Sequence, residues 1–128
     1  MSSNRQHIAE ASPRYETHEE VLAAPALRTF FNLAERWKRF QVLVANRDVR
    51  DVRNKRAFLM TPREKFVRTP NLPRTYDNAF LDIGYGVTIS GPHLVGRMTS
   101  AIDVQKGEKI LEVGTGSGYQ SAYLSNLT

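Results

Sequence analysis

A chain of 128 residues has room for one ordinary domain, and 41% hydrophobic content can bury a core if the apolar pattern closes. Cysteine is absent, which excludes a disulfide framework, a thiolate nucleophile and a cysteine-ligated metal site, and fits a reducing setting. The net charge of +5 is local in origin, because residues 36–74 hold twelve Lys or Arg against three acids and leave the remainder net acidic. If exposed, such a stretch collects polyanions by counterion release. The preferred alternative is the solvated face of two helices, since Trp37, Phe40, Phe58 and Phe66 interleave with the charges where a helix would bury them.

The first sixteen residues lack the apolar core of a signal peptide, and the longest apolar runs are far too short for a bilayer, so a soluble, cytoplasmic protein with no membrane partner is expected. Residues 1–18 are polar, contain Pro13 and show no periodicity, which reads as a flexible lead-in. From Pro25, the positions Leu27, Phe30, Phe31, Ala34 and Trp37 recur at helical spacing, with Gln41 and Val44 closing the row. A helix of roughly five turns follows from that pattern. Asn46 and Asp48 interrupt it; Val49, Val52 and Arg56 to Met60 then predict a short second helix that must stop before Thr61-Pro62.

Residues 69–91 carry the turn signals Thr69-Pro70, Leu72-Pro73 and Gly84-Tyr85-Gly86, and are expected to form a long irregular segment of the kind that serves function. Pro92 opens the next helix, capped by Ser90 or Gly91, with Leu94, Val95, Met98 and Ile102 as its buried stripe and Gly107 as its stop. Lys109–Val113 reads as a short apolar strand. The segment from Gly118 to Leu127 begins another helix, with Ala122, Tyr123 and Leu127 inward.

Between that strand and that helix lie Gly114, Thr115, Gly116, Ser117 and Gly118. Side-chain-free positions let a ligand approach the backbone, and helix-end N–H groups favour an anion or carboxylate. A phosphate-cradling loop would need Gly-Lys-Ser/Thr here, but Tyr119-Gln120 follows, and the dinucleotide fingerprint would need its third glycine at position 119. The remaining Gly-x-Gly-x-Gly spacing, after Ile110-Leu111-Glu112-Val113, is similar to that of S-adenosylmethionine-dependent methyltransferases, whose turn packs on the amino-acid end of the cofactor.

Four blocks occur in one order: Thr61-Pro-Arg-Glu-Lys-Phe-Val67, Ile83 through the Thr-Ile-Ser block to His93, Arg97-Met98-Thr99, and the glycine turn ending in Tyr119-Gln120. From about Val42 onward the chain resembles a protein-L-isoaspartate O-methyltransferase. That resemblance implies an α/β fold, namely the N-terminal part of a Rossmann-like methyltransferase: a helical N-terminal region, the first strand and the start of the next helix. It divides the chain into an extension at 1–41, partly flexible and then helical, and an incomplete methyltransferase domain at 42–128. It also implies methylation, with S-adenosyl-L-methionine, of the α-carboxylate of isoaspartyl residues in damaged proteins, which then close to a succinimide and reopen partly to normal aspartate.

Carried across position by position, Ser90 matches the family's active-site serine, Thr88 and Ile89 belong to the same loop, Gly114 to Gly118 match the methionine-binding turn, and His93 matches a position some members use beside the cofactor, its alternative being a helix-surface histidine. From its own place in the chain, Glu112 either holds the cofactor ammonium from the strand end or is a solvated acid, and Tyr85, beside two glycines, either lines the peptide channel or packs the loop. Val87 and Gly91 depart from the residues common in the family at those positions. Residues past Gly118 number only ten, so the ribose-binding acid and later strands of the family pattern are not in this sequence, and the chain is expected to be inactive alone and to be poorly folded, aggregating or dependent on a partner.

Methyl transfer to a carboxylate already ionised at neutral pH requires no general base. A lone serine is then enough as an orienting donor, and no metal is expected. The alternative for Ser90 is the helix N-cap. Two other functions stay open at this level: a truncated, non-catalytic interaction protein with a basic helical region, and a methyltransferase-fold protein acting on nucleic acid.

Overall fold

A computed structural model describes residues 16–23 and 33–128. The chain order is α1 (His18–Ala23), α2 (Leu33–Ala45), α3 (Val52–Met60), short 3-10 turns at Arg63–Lys65 and Thr69–Arg74, β1 (Leu81–Gly84), β2 (Val87–Ile89), α4 (Pro92–Ile102) and α5 (Tyr119–Ser125). The second and third helices form where helices are expected, but α2 buries Arg36, Phe40 and Leu43 and leaves Ala34 and Gln41 of the expected row exposed; Pro25, Leu27, Phe30 and Phe31 lie outside the described residues. The predicted lead-in is corrected at its end. His18 starts α1, which buries Val21 and sets the His18 ring 5.8 Å from Phe40.

Helix α2 ends because Arg47 turns left-handed at φ 61°, and the Asp48 N–H then donates to the Leu43 carbonyl and the Arg47 N–H to that of Val44. This Schellman closure satisfies carbonyls the helix would otherwise leave open. It also delivers Asp48 into the interior, where Oδ1 accepts from Arg97 Nε at 3.1 Å and Nη2 at 3.0 Å. Gly96 makes the contact possible: a Cβ there would stand 2.8 Å from Val49 Cγ2.

Helix α3 is central, in contact with α1, α2, α4 and α5. Asp51 caps it by accepting from the Asn54 N–H at 3.0 Å, and Thr61 ends it by returning its N–H and hydroxyl to the Ala57 carbonyl. Burial alone would raise the Asp51 pKa, but the Asn54 hydrogen bonds and the Arg53 charge outweigh it and hold the carboxyl below its usual value. The carboxylate therefore contributes stability above its unfolded pKa of about 4, lost as pH falls through the lower folded value. Asp51→Ala is expected to cost about 1 kcal/mol at pH 7, and almost nothing at pH 2, in urea melts. Equal losses at both pH values would refute the cap.

Aromatic rings run through the core from Trp37 to Phe40 to Phe58 to Tyr76, with centroids 5.2, 6.2 and 6.4 Å apart. The expected solvated face of two helices is corrected at its strongest charges. Arg36 and Arg63 are fully buried: Arg36 finds a polar partner for each guanidinium nitrogen, whereas Arg63 is held through Nε, and its Nη1 and Nη2 meet no hydrogen-bond acceptor among the described residues. Arg36 donates to the Tyr76 hydroxyl at 2.7 Å, the Leu59 carbonyl at 2.8 Å and Glu64 Oε1 at 2.5 Å, while the Tyr76 hydroxyl donates to Glu64 Oε2. Burial, helped by Glu64 and opposed by Arg36, pushes the Tyr76 pKa far up and keeps it a donor.

Three further expectations change. The irregular segment at 69–91 contains an antiparallel hairpin, pairing Leu81 with Ile89 and Asp82 with Thr88, because Tyr85 and Gly86 both take positive φ and close a two-residue turn whose twist suits the strands. Helix α4 stops at Asp103, which itself takes the left-handed position, rather than at Gly107. Lys109–Val113 forms no strand. It is exposed at Leu111 and Val113, and among the described residues no backbone ladder reaches it to satisfy its polar groups.

Candidate functional site

Three glycines give the turn after Val113 its shape. Gly114, Gly116 and Gly118 have φ of 78°, 57° and 90°. A Cβ on Gly114 would meet nothing within 4 Å, so at that position glycine serves backbone conformation, not side-chain room. Gly118 is the left-handed N-cap of α5, and its N–H donates to the Thr115 carbonyl at 3.0 Å.

The turn borders a cavity of about 550 Å³. Gly114, Thr115, Gly116 and Ser117 form one side; Thr88, Ile89 and Ser90, from the end of β2, form another. Residues about 25 positions apart in sequence therefore share one space. Helix α4 supplies the wall between them. Its expected buried stripe is corrected: Val95 is buried, but Leu94, Met98 and Ile102 are 41, 61 and 61% exposed. They line the open cavity together with Ile110, Leu111 and Val113.

Helix α5 follows the expected inward pattern at Tyr123 and Leu127, with Ala122 half-buried and Tyr119 added. Burial pushes the Tyr119 hydroxyl up to about 12 against the pull of the Arg63 and Arg36 charges. Gln120 Nε2 donates to Thr99 Oγ1 at 2.9 Å and ties the start of α5 to α4 across the cavity floor. The sequence reading assigned Thr99 no role, although its spacing of four from Val95 places it on the same helix face.

Glu112 lines the cavity, half-buried, and its Oε2 accepts from Ser121 Oγ at 2.7 Å. That hydrogen bond fixes the carboxylate and leaves Oε1 for a cation. Ser90 is exposed on the cavity wall; the N-cap of α4 is Gly91, and the His93 N–H in its first turn donates to Asn78 Oδ1 at 3.2 Å, so the capping alternative for Ser90 is not realised. His93 and Tyr85 do not line the cavity. The His93 ring packs where a Cβ on Gly91 would project, and Tyr85 sits fully exposed at the hairpin tip. Among the described residues, no helix is long and apolar enough to cross a membrane.

A left-handed glycine turn leading into a helix, with an acidic residue before it and a cavity beside it, defines the class of proteins that hold a small ligand against backbone. Within that class, the family model for protein-L-isoaspartate(D-aspartate) O-methyltransferase matches residues 36–128, and the chain belongs to this family of S-adenosylmethionine-dependent methyltransferases. It is 52% identical over 71 residues to the protein-L-isoaspartate O-methyltransferase of Dictyoglomus thermophilum, covering 56% of this chain and 32% of the relative. It is 53% identical over 66 residues to protein-L-isoaspartate O-methyltransferase 2 of a Polaromonas species, covering 52% and 31%. Against the enzyme of Photorhabdus laumondii the figures are 41% over 95 residues, 74% and 46%. The chain thus spans between about a third and a half of the length of these relatives.

Proposed function

We propose that this chain carries the methyl-donor turn and the carboxylate-orienting loop of an enzyme that methylates the α-carboxylate of L-isoaspartyl residues in damaged proteins, in the cytoplasm. The observation that supports this most is that the Thr88–Ser90 loop and the Gly114–Ser117 turn line the same cavity. The residues fit S-adenosylmethionine: the turn leaves backbone open to its methionine end, and the half-buried Glu112 offers a carboxylate oxygen to its ammonium. When bound, the donor supplies an electrophilic methyl group on a sulfonium.

The protein's part is placement. A substrate carboxylate is already ionised at neutral pH, so the Ser90 hydroxyl donates to one of its oxygens and leaves the other to attack. Leu94, Met98 and Ile102 keep water from the reacting groups. In the finer form of this reading, the chain forms the N-terminal part of a Rossmann-like sheet, with Lys109–Val113 becoming its first strand once a neighbour pairs with it. On this reading the chain supplies donor capture, and complete turnover takes place in a larger unit.

The inward turn of Arg36 and Arg63 weakens the competing reading of an interaction protein with a basic docking surface. Titration with S-adenosylhomocysteine, followed by backbone NMR, tests the proposal. The amide signals of Gly114, Gly116 and Gly118 are expected to move together and saturate. Saturating shifts confined to residues outside the cavity would overturn it.

A further inference from the structure

The block Thr61–Val67 contributes nothing to the cavity wall, yet it stands directly behind the glycine turn. Arg63 is fully buried and donates through Nε to the Thr75 carbonyl at 2.6 Å. Its guanidinium carbon lies 5.1 Å from the centroid of the Tyr119 ring. Phe66 meets the same ring edge-on at 5.7 Å, and its Cε1 is 3.8 Å from where a Cβ on Gly118 would project. Tyr119 follows Gly118 directly and lines the cavity. One short stretch therefore braces the residue on which the last bend of the turn depends.

An arginine is an expensive brace. Removing a guanidinium from water is costly, and an apolar side chain of similar volume fills such a space more cheaply. A desolvated cation over an aromatic face recovers part of that cost and, unlike apolar packing, fixes the ring in one place. The Thr75 carbonyl holds Nε while Nη1 and Nη2 have no hydrogen-bond partner among the described residues, so the charge, the Tyr119 ring and the left-handed joint at Gly118 form one connected series.

We propose that Arg63 is a positioning residue for the donor-binding turn, holding Tyr119 and through it the bend at Gly118. This rests on reading the turn as the donor site. The test uses the full chain as wild type, Arg63→Met, Arg63→Lys and Val21→Ala, the last a core truncation in α1 that controls for lost stability. Without ligand, the amide signals of Gly116 and Gly118 are expected to shift in Arg63→Met, to return toward wild type in Arg63→Lys and to stay in place in Val21→Ala. With S-adenosylhomocysteine, Arg63→Met is expected to bind about tenfold more weakly and Arg63→Lys within about threefold of wild type.

Turn amides unmoved in Arg63→Met, or moved equally in Val21→Ala, would overturn the proposal. If Arg63→Met does not fold, Phe66→Leu removes the other half of the brace and must move the same amides. A wild-type chain that ignores the ligand while Arg63→Met still displaces the turn would sink the donor reading and leave the positioning role standing.

Discussion

Glu64→Gln is expected to destabilise the chain by about 3–5 kcal/mol, the largest loss of any single polar substitution in this core. The side chains of Arg36 and Glu64 are only 1% and 8% exposed, so the arginine left behind keeps its charge in an interior with no solvent to compensate. Tyr76 loses a charged acceptor in the same step. The double variant Arg36→Met with Glu64→Leu removes both charges at once and is expected to lose much less, because an apolar pair of similar volume avoids the desolvation penalty. Urea melts of the three proteins decide the matter. A loss below about 1 kcal/mol for Glu64→Gln would show that the pair is solvated after all.

Ser90→Ala is expected to slow methyl transfer to an isoaspartyl peptide by about a hundredfold, with donor affinity held within about twofold. The reasoning is geometric. Ser90 follows β2 and lines the same cavity as the turn, and no helix cap competes for its hydroxyl. Losing it leaves the glycine turn intact but frees the substrate carboxylate to rotate. The measurement needs a competent enzyme, such as this chain fused to the remaining portion of its Photorhabdus laumondii relative, with rate and donor affinity read separately. An unchanged rate would remove Ser90 from the chemistry; equal losses in rate and donor affinity would make it a support for the turn instead.

The parts that were readable in the sequence are those with short-range causes. Helix α3 was legible because Thr61-Pro62 must end it, and the shape of the glycine turn because Gly114, Gly116 and Gly118 recur at a spacing that only a sharp bend explains. The failures have non-local causes. Leu94, Met98 and Ile102 have the period of a buried stripe, but period says nothing about whether a second layer lies opposite. Lys109–Val113 has strand composition, yet a strand exists only when a neighbour accepts its hydrogen bonds. The hairpin was hidden because Tyr85 takes a left-handed position usually given to glycine or asparagine. Arg36 and Arg63 looked like surface charge, since their partners Tyr76 and Thr75 are contributed by a segment that carried turn signals and no periodicity.

At the site, the contrast is similar. The turn was legible from its glycine spacing and the Ser90 loop from resemblance, and the fold sets them around one space. His93, taken from the same resemblance, and Tyr85, taken from its place beside two glycines, sit away from it. The links from Gln120 to Thr99 and from Ser121 to Glu112 cross between elements, and no local pattern announces them.

The uneven exposure of this molecule gives it two tiers of rigidity. On one side, α2 and α3 enclose an interior that already excludes solvent; on the other, the margins of the glycine turn are anchored mainly by Tyr119 and Gln120. A small molecule seated there would act as mortar as well as cargo, because any ligand that prefers the ordered turn shifts the balance against local opening. Occupancy and resistance to unfolding would then rise together.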